Sequence, residues 1–187
     1  MEGTRKKVQL GSYDNSWYSP HAGKLKIFFW YFTNVLFLKN PLNSFSSVRV
    51  FMLRLFGAKV GVDVTIKPSV SVKYPWLLEI GDNCWIGEDV WIDNLVQIRI
   101  GNNCCISQGA MLLTGNHNYK KTSFDLMVGQ IILEEGTWIG AKSIVTQGIT
   151  CGSHSVLSAG SVASHDLEPY NVYRGNPAEV VKERIIN

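Results

Sequence analysis

The stretch IGNNCCISQGAMLLTGNHNY, residues 100–119, opens with a rhythm and then breaks it. Ile100, Ile106 and Leu112 stand six residues apart, and small residues, Cys104 and Ala110, follow the first two by four. After Leu112 the order fails, and a histidine, His117, stands where it fails. Working outward, the same hexad runs from Val60 to Ala163. VGVDVT and IKPSVS precede Val72; IGDNCW and IGEDVW precede Ile92; two-residue excesses separate these groups. Beyond the interruption come LEEGTW, IGAKSI, VTQGIT, CGSHSV and LSAGSV. A helix repeats near 3.6 residues and a strand at 2, so a period of six fits neither. It fits a chain that turns a corner every six residues, with the aliphatic residue and the small fifth residue pointing inward. Gly, Asn and Asp supply the turn conformations. Three sides close a coil of about eighteen residues, and about five coils stack as parallel strands to a height of roughly 24 Å.

The chain has 187 residues, 45% of them hydrophobic and 18% charged, which is globular rather than disordered. A formal charge of +3 is too mild to argue for nucleic acid, and no such partner is expected. Of the four cysteines, Cys84, Cys104 and Cys151 occupy inward positions of the hexad, and none forms a CxxC pair. They read as small buried hydrophobes in a reducing compartment. No signal peptide is legible, so the expected location is cytoplasmic.

Residues 1–59 do not follow the hexad and form an N-terminal helical segment packed on the prism. Apolar spacing predicts helices near 22–38 and 44–56, with Gly57 as the C-terminal cap of the second. The first is apolar nearly all round. It either packs on protein or lies peripherally on the inner membrane, with Lys24, Lys26 and Lys39 near headgroups. The prism is expected over 60–168 with an excluded loop at 113–132. A tail over 169–187 is expected to include a short helix at 178–186.

Long loops in compact repeats are often functional, and His117 stands where this one leaves a rigid strand. A histidine there can take a proton from a hydroxyl or an amine. His21, His154 and His165 share no ligand motif with it, so no metal is expected.

The iterated hexad resembles the hexapeptide-repeat family, which implies a mainly β fold, a left-handed parallel β-helix capped by helices, and a homotrimer with sites between subunits. LTGNHNY, TWIGAKSIVTQGIT and YRGNPAEVVK resemble the acyltransferase branch. That resemblance makes His117 the general base of transfer from acetyl-CoA and the Ala141 N–H an oxyanion donor. It also makes Trp138, Gly140, Ala141, Ala159, Ser164 and Lys182 contacts of the acyl donor. Corner geometry would require the small residues anyway, and Trp138 has outward packing as its alternative. Glu179 departs from a basic residue common in the family three positions before Lys182. SYDNSWYSPH (12–21), FGAKVG (56–61), YPWLLEIGDNCWIGEDVWIDNL (74–95) and GNHNY resemble the colanic acid biosynthesis acetyltransferase group, implying O-acetylation of a sugar in exopolysaccharide or surface-glycan assembly. Asp93, Asn94, Asn116 and Tyr119 are the expected acceptor contacts, with a plain corner turn as the alternative for Asp93 and Asn94. Two other readings are a non-catalytic scaffold in a glycan-assembly complex and a sugar N-acetyltransferase.

Overall fold

A computed structural model describes residues 6–187. The hexad becomes three parallel sheets that wind into a β-helix. The first sheet stacks Lys59–Val60, Leu78–Ile80, Ile98–Ile100, Ile131–Leu133 and Thr150–Cys151. The second stacks Thr65–Ile66, Trp85–Ile86, Cys105–Ile106, Trp138–Ile139 and Val156–Leu157. The third stacks Ser71–Val72, Trp91–Asp93, Met111–Leu113, Ile144–Val145 and Val162–Ala163. Each inward residue sits over its counterpart one coil away: Ile66, Ile86, Ile106, Ile139 and Leu157 form one column. Val72, Ile92, Leu112, Val145 and Ala163 form another. These columns are the core, and Ile106, Leu112 and Leu157 are fully buried. Five coils are complete, and a sixth begins where Leu167 bridges to Cys151.

The division of labour within the hexad differs from the sequence reading. The left-handed backbone conformation falls at the fourth position, as at Asp63, Asn83, Asn103, Lys142 and His154, with φ between 53° and 59°. The glycine at the second position serves a close approach: a Cβ on Gly140 would lie 2.5 Å from the Ala159 nitrogen of the next coil. Cys84 and Cys104 are free thiols, as expected of inward positions. The hydrogen bond with Cys84, and then burial, push the Cys104 thiol well above its ordinary range.

Two helices lie before the prism: α1, Lys24–Thr33, running on through a π-helical turn at Asn34–Leu38, and α2, Ser46–Leu55. Trp30 anchors α1, its indole N–H donating to the Val72 carbonyl at 3.0 Å and its ring 5.1 Å from Phe56. Buried Arg49 anchors α2 by donating to the Ile66 and Asn43 carbonyls. Gly57 follows α2 with φ 101°, as a C-terminal cap requires.

Two expectations need correction. The excursion from the prism is narrower than 113–132, because Leu113 and Ile131 still belong to prism strands. What leaves is a β-hairpin, Gly115–His117 against Leu126–Val128. The expected C-terminal helix is a strand: Ala178–Glu183 pairs antiparallel with Asn171–Gly175. That hairpin in turn pairs with Val156–Leu157 and caps the open edge of the second sheet. A helix there would have left the outer edge of Asn171–Gly175 unpaired.

Candidate active site

His117 lies on the first strand of the hairpin, half-buried. Its Nδ1 is 2.9 Å from the Phe124 carbonyl oxygen, and its ring stacks on the Phe124 ring at 4.5 Å and 8°. A carbonyl oxygen can only accept, so Nδ1 carries a proton, and in the neutral ring Nε2 is the nitrogen with the free lone pair. Phe124 holds φ at 54°, a conformation bulky residues avoid; it turns the carbonyl back on the imidazole. The hairpin rests on buried Thr114, whose hydroxyl donates to the Asp93 carbonyl and accepts from the Leu95 N–H. From the other side the N-terminal segment crosses it: the Gln9 N–H donates to the Thr122 carbonyl, and Tyr13 lies 5.8 Å from the His117 ring.

His117 opens on a cavity of about 400 Å³ lined also by Tyr13, Asn15, Tyr18, Lys73, Tyr74, Asp93, Leu95 and Asn116. Asp93 pairs with Lys73 at 2.9 Å and lines this space. The Tyr18 hydroxyl donates to the Leu95 carbonyl at 2.8 Å. Burial first, then Tyr74 and Asp93, raise its pKa, so it stays a neutral phenol. Asn116 lines the cavity while its Oδ1 accepts from the His117 N–H. Asn94 is not an acceptor contact. It is fully buried, its Oδ1 taken by the Tyr74 N–H and its Nδ2 donating to the Tyr74 and Leu77 carbonyls. Its amide is therefore committed to tying two coils together. Tyr119 is 74% exposed and lies outside the lining. Sequence reading gave no role to Tyr13, Asn15, Tyr18, Lys73 or Tyr74. The dense polar-aromatic SYDNSWYSPH was the available signal for the first three.

A second cavity, about 740 Å³, runs along the corner of the second sheet. It gathers Trp138, Gly140, Ala141, Ala159 and Lys182; Ser164, exposed beyond the last strand of the third sheet, is not part of it. The Trp138 indole N–H donates to the Ser107 hydroxyl at 2.9 Å, which lays the ring along the groove. The backbone N–H groups of Ala141 and Ala159 have no acceptor among the described residues. Arg174, unassigned in the sequence reading, lines the groove and stands opposite Glu179 in the C-terminal hairpin. It puts a cation beside the acidic residue that departs from the family pattern. The two cavities share no lining residue. Among the described residues no group of three His, Cys, Asp or Glu side chains is placed to hold a metal ion.

The sequence pattern described as the hexapeptide repeat of succinyl-transferase matches residues 78–113 and 130–163. The structure resembles a galactoside acetyltransferase in complex with coenzyme A, with a TM-score of 0.75 at 22% identity over 85% of this chain and 80% of that one. It also resembles AntD, an N-acyltransferase from Bacillus cereus in complex with dTDP and 3-hydroxybutyryl-CoA. There the TM-score is 0.62 at 19% identity, over 73% and 88% of the two chains. At such identities the likeness is one of fold. Sequence similarity goes further: WcaF of Escherichia coli (strain K12), assigned as a colanic acid biosynthesis acetyltransferase, is 42% identical over 137 residues, 73% of this chain and 75% of that one. With that identity over that share of the relative, and the repeat pattern on both sides of the hairpin, the chain belongs to the hexapeptide-repeat acetyltransferase family.

Proposed function

We propose that this protein transfers the acetyl group of acetyl-CoA to a hydroxyl of a sugar in surface-glycan assembly, with His117 as the general base. The observation that carries the reading is the tethering of Nδ1 to the Phe124 carbonyl on a histidine that lines the cavity, which makes Nε2 the basic nitrogen of the neutral ring. Nε2 takes the proton of the acceptor hydroxyl as its oxygen attacks the thioester carbon. The C–O bond forms, the tetrahedral oxyanion collapses, the C–S bond breaks, and the imidazolium returns its proton to the departing thiolate. The unpartnered Ala141 N–H suits the oxyanion, and the free Ala159 N–H suits an amide of an extended donor arm. Lys182 and Arg174 suit its phosphates. Tyrosines, Asn15 and the Lys73–Asp93 pair suit a neutral polyol acceptor better than an apolar one.

Donor groove and acceptor cavity share no residue within one chain, so the working site is read as composite. A second copy brings its donor groove against the His117 cavity of the first, in keeping with a cyclic trimer. The similarity to WcaF favours a sugar hydroxyl in exopolysaccharide assembly, and the AntD likeness keeps an amine acceptor as the competing chemistry.

The test is release of free CoA from acetyl-CoA across a panel of sugar acceptors. His117→Ala is expected to lower kcat at least about a hundredfold with an unchanged melting temperature, the scale of a lost general base. Undiminished turnover in that variant overturns the assignment of the base. Mild hydroxylamine separates the acceptors: an O-acetyl ester is cleaved, an N-acetyl amide survives.

A further inference from the structure

The face of α1 turned away from the prism is apolar in a regular way. Leu25, Phe28, Phe29, Phe32 and Leu36 follow helical spacing, and all are exposed, by 48 to 75%. Tyr31 and Val35 extend the stripe. Only Trp30 and Leu38 of this stretch are buried against the prism. A monomer's isolated exposed leucine needs no explanation, but a contiguous aromatic face does. The surrounding charge is one-sided. From Asn15 to Val62 there is no Asp or Glu, while Lys24, Lys26, Lys39, Arg49, Arg54 and Lys59 all fall in that span. The whole chain carries only +3, so the remainder is net acidic. Lys24 and Lys39 bracket the apolar stretch, and neither has an ion-pair partner among the described residues. Among the described residues no helix is long and apolar enough to cross a membrane.

We infer that α1 is an interfacial helix that docks the protein on an anionic lipid surface, with Phe28, Phe29 and Phe32 among the acyl chains and Lys24 and Lys39 at the headgroups. An aromatic stripe bracketed by cations is the composition that lies in the plane of a membrane rather than across it. The absence of acidic side chains over the whole span matches a negative surface. The same face paired with itself would oppose two acid-free basic surfaces. Docking has a consequence for catalysis, which rests on the transferase reading although docking itself does not. The groove beside α1 and the His117 cavity share Lys73, Tyr74 and Asp93, so the acceptor cavity sits next to the lipid.

The test is flotation of the full chain with vesicles of phosphatidylglycerol and phosphatidylcholine in equal parts, against vesicles of phosphatidylcholine alone. The expected result is co-flotation with the anionic vesicles, weakened by molar salt and by Lys24→Glu with Lys39→Glu. The triple change Phe28→Ser, Phe29→Ser and Phe32→Ser is expected to lower the floated fraction at least about tenfold. These side chains are already exposed, so melting temperature, sedimentation and soluble-acceptor turnover should hold. A wild-type chain that stays with the soluble fraction overturns the inference, as does a triple variant that floats like the wild type. If the triple variant instead loses its oligomeric mass, the face belongs to a second copy of the chain and the inference fails.

Discussion

The three corners of the prism are built from the same hexad, yet they treat one backbone N–H differently. At the corner after the first sheet, the Val62 N–H is capped by Asp82 and the Asp82 N–H by Asn102, each a side chain one coil further on. At the corner after the third sheet, Asn94 caps the Tyr74 N–H and Thr114 caps that of Leu95 in the same manner. At the corner after the second sheet, Ala141 is followed one coil on by Ala159, a methyl group with no acceptor to offer. Asx and Thr side chains close the first two of these corners at the coils named, and alanine leaves the third open at Ala141. The open one is the wall of the larger cavity. On the proposed reading, a structural repeat becomes a binding groove here by leaving out a cap, so that the N–H groups are free for a ligand.

The largest effect of breaking a cap is expected at Asn94. Its amide serves three backbone groups and is fully buried. Asn94→Ala strands the Tyr74 N–H and the Leu77 carbonyl and leaves the Tyr74 carbonyl only the Leu77 N–H, which costs about 2–3 kcal/mol. The urea midpoint should fall with an unchanged slope. Tyr74 also lines the His117 cavity, so under the proposed function KM for the acceptor should rise while KM for the acyl donor holds. A variant as stable as the wild type would remove Asn94 from the closed corner.

The open corner can be closed by the same device. Ala159→Asp places a carboxylate where Asp82 and Asn94 place their acceptors, one coil beyond a free N–H. The Asp side chain should take the Ala141 N–H and put negative charge in the groove. The expected result is a rise in the acyl-donor KM of about tenfold or more, the scale of one lost hydrogen bond plus repulsion of a phosphorylated ligand. Melting temperature should stay level or climb slightly. An unchanged KM would show that the donor does not lie along this corner.

How far the sequence could be read follows the same division. A column such as Ile66, Ile86, Ile106, Ile139 and Leu157 is legible because stacking repeats one local requirement in every coil. His117 stood out as the point where that requirement lapsed. The cap positions were not legible, because Asn94 means a corner turn in its own coil and acquires its role only from Tyr74 one coil below. The His117 cavity was half hidden for a related reason. Tyr13 and Tyr18 reach it by long-range contacts, such as Tyr18 to Leu95, that no periodicity announces. The C-terminal segment 178–186 reads as a helix in isolation, and only the open edge of Asn171–Gly175, itself seated on Val156–Leu157, makes it a strand.

The smallest effect is expected at the exposed end of the series. Asp82→Ala uncaps the Val62 N–H, which is open to water, so solvent replaces the lost acceptor and the cost is about 0.5–1.5 kcal/mol. The Asp82 N–H stays capped, because Asn102 supplies that acceptor. Neither cavity includes Asp82, so turnover and both KM values should hold. Chemical denaturation and steady-state kinetics on one preparation measure both quantities. A loss of activity without a loss of stability would mean that the corner after the first sheet also faces the reaction, which would end the contrast between closed and open corners.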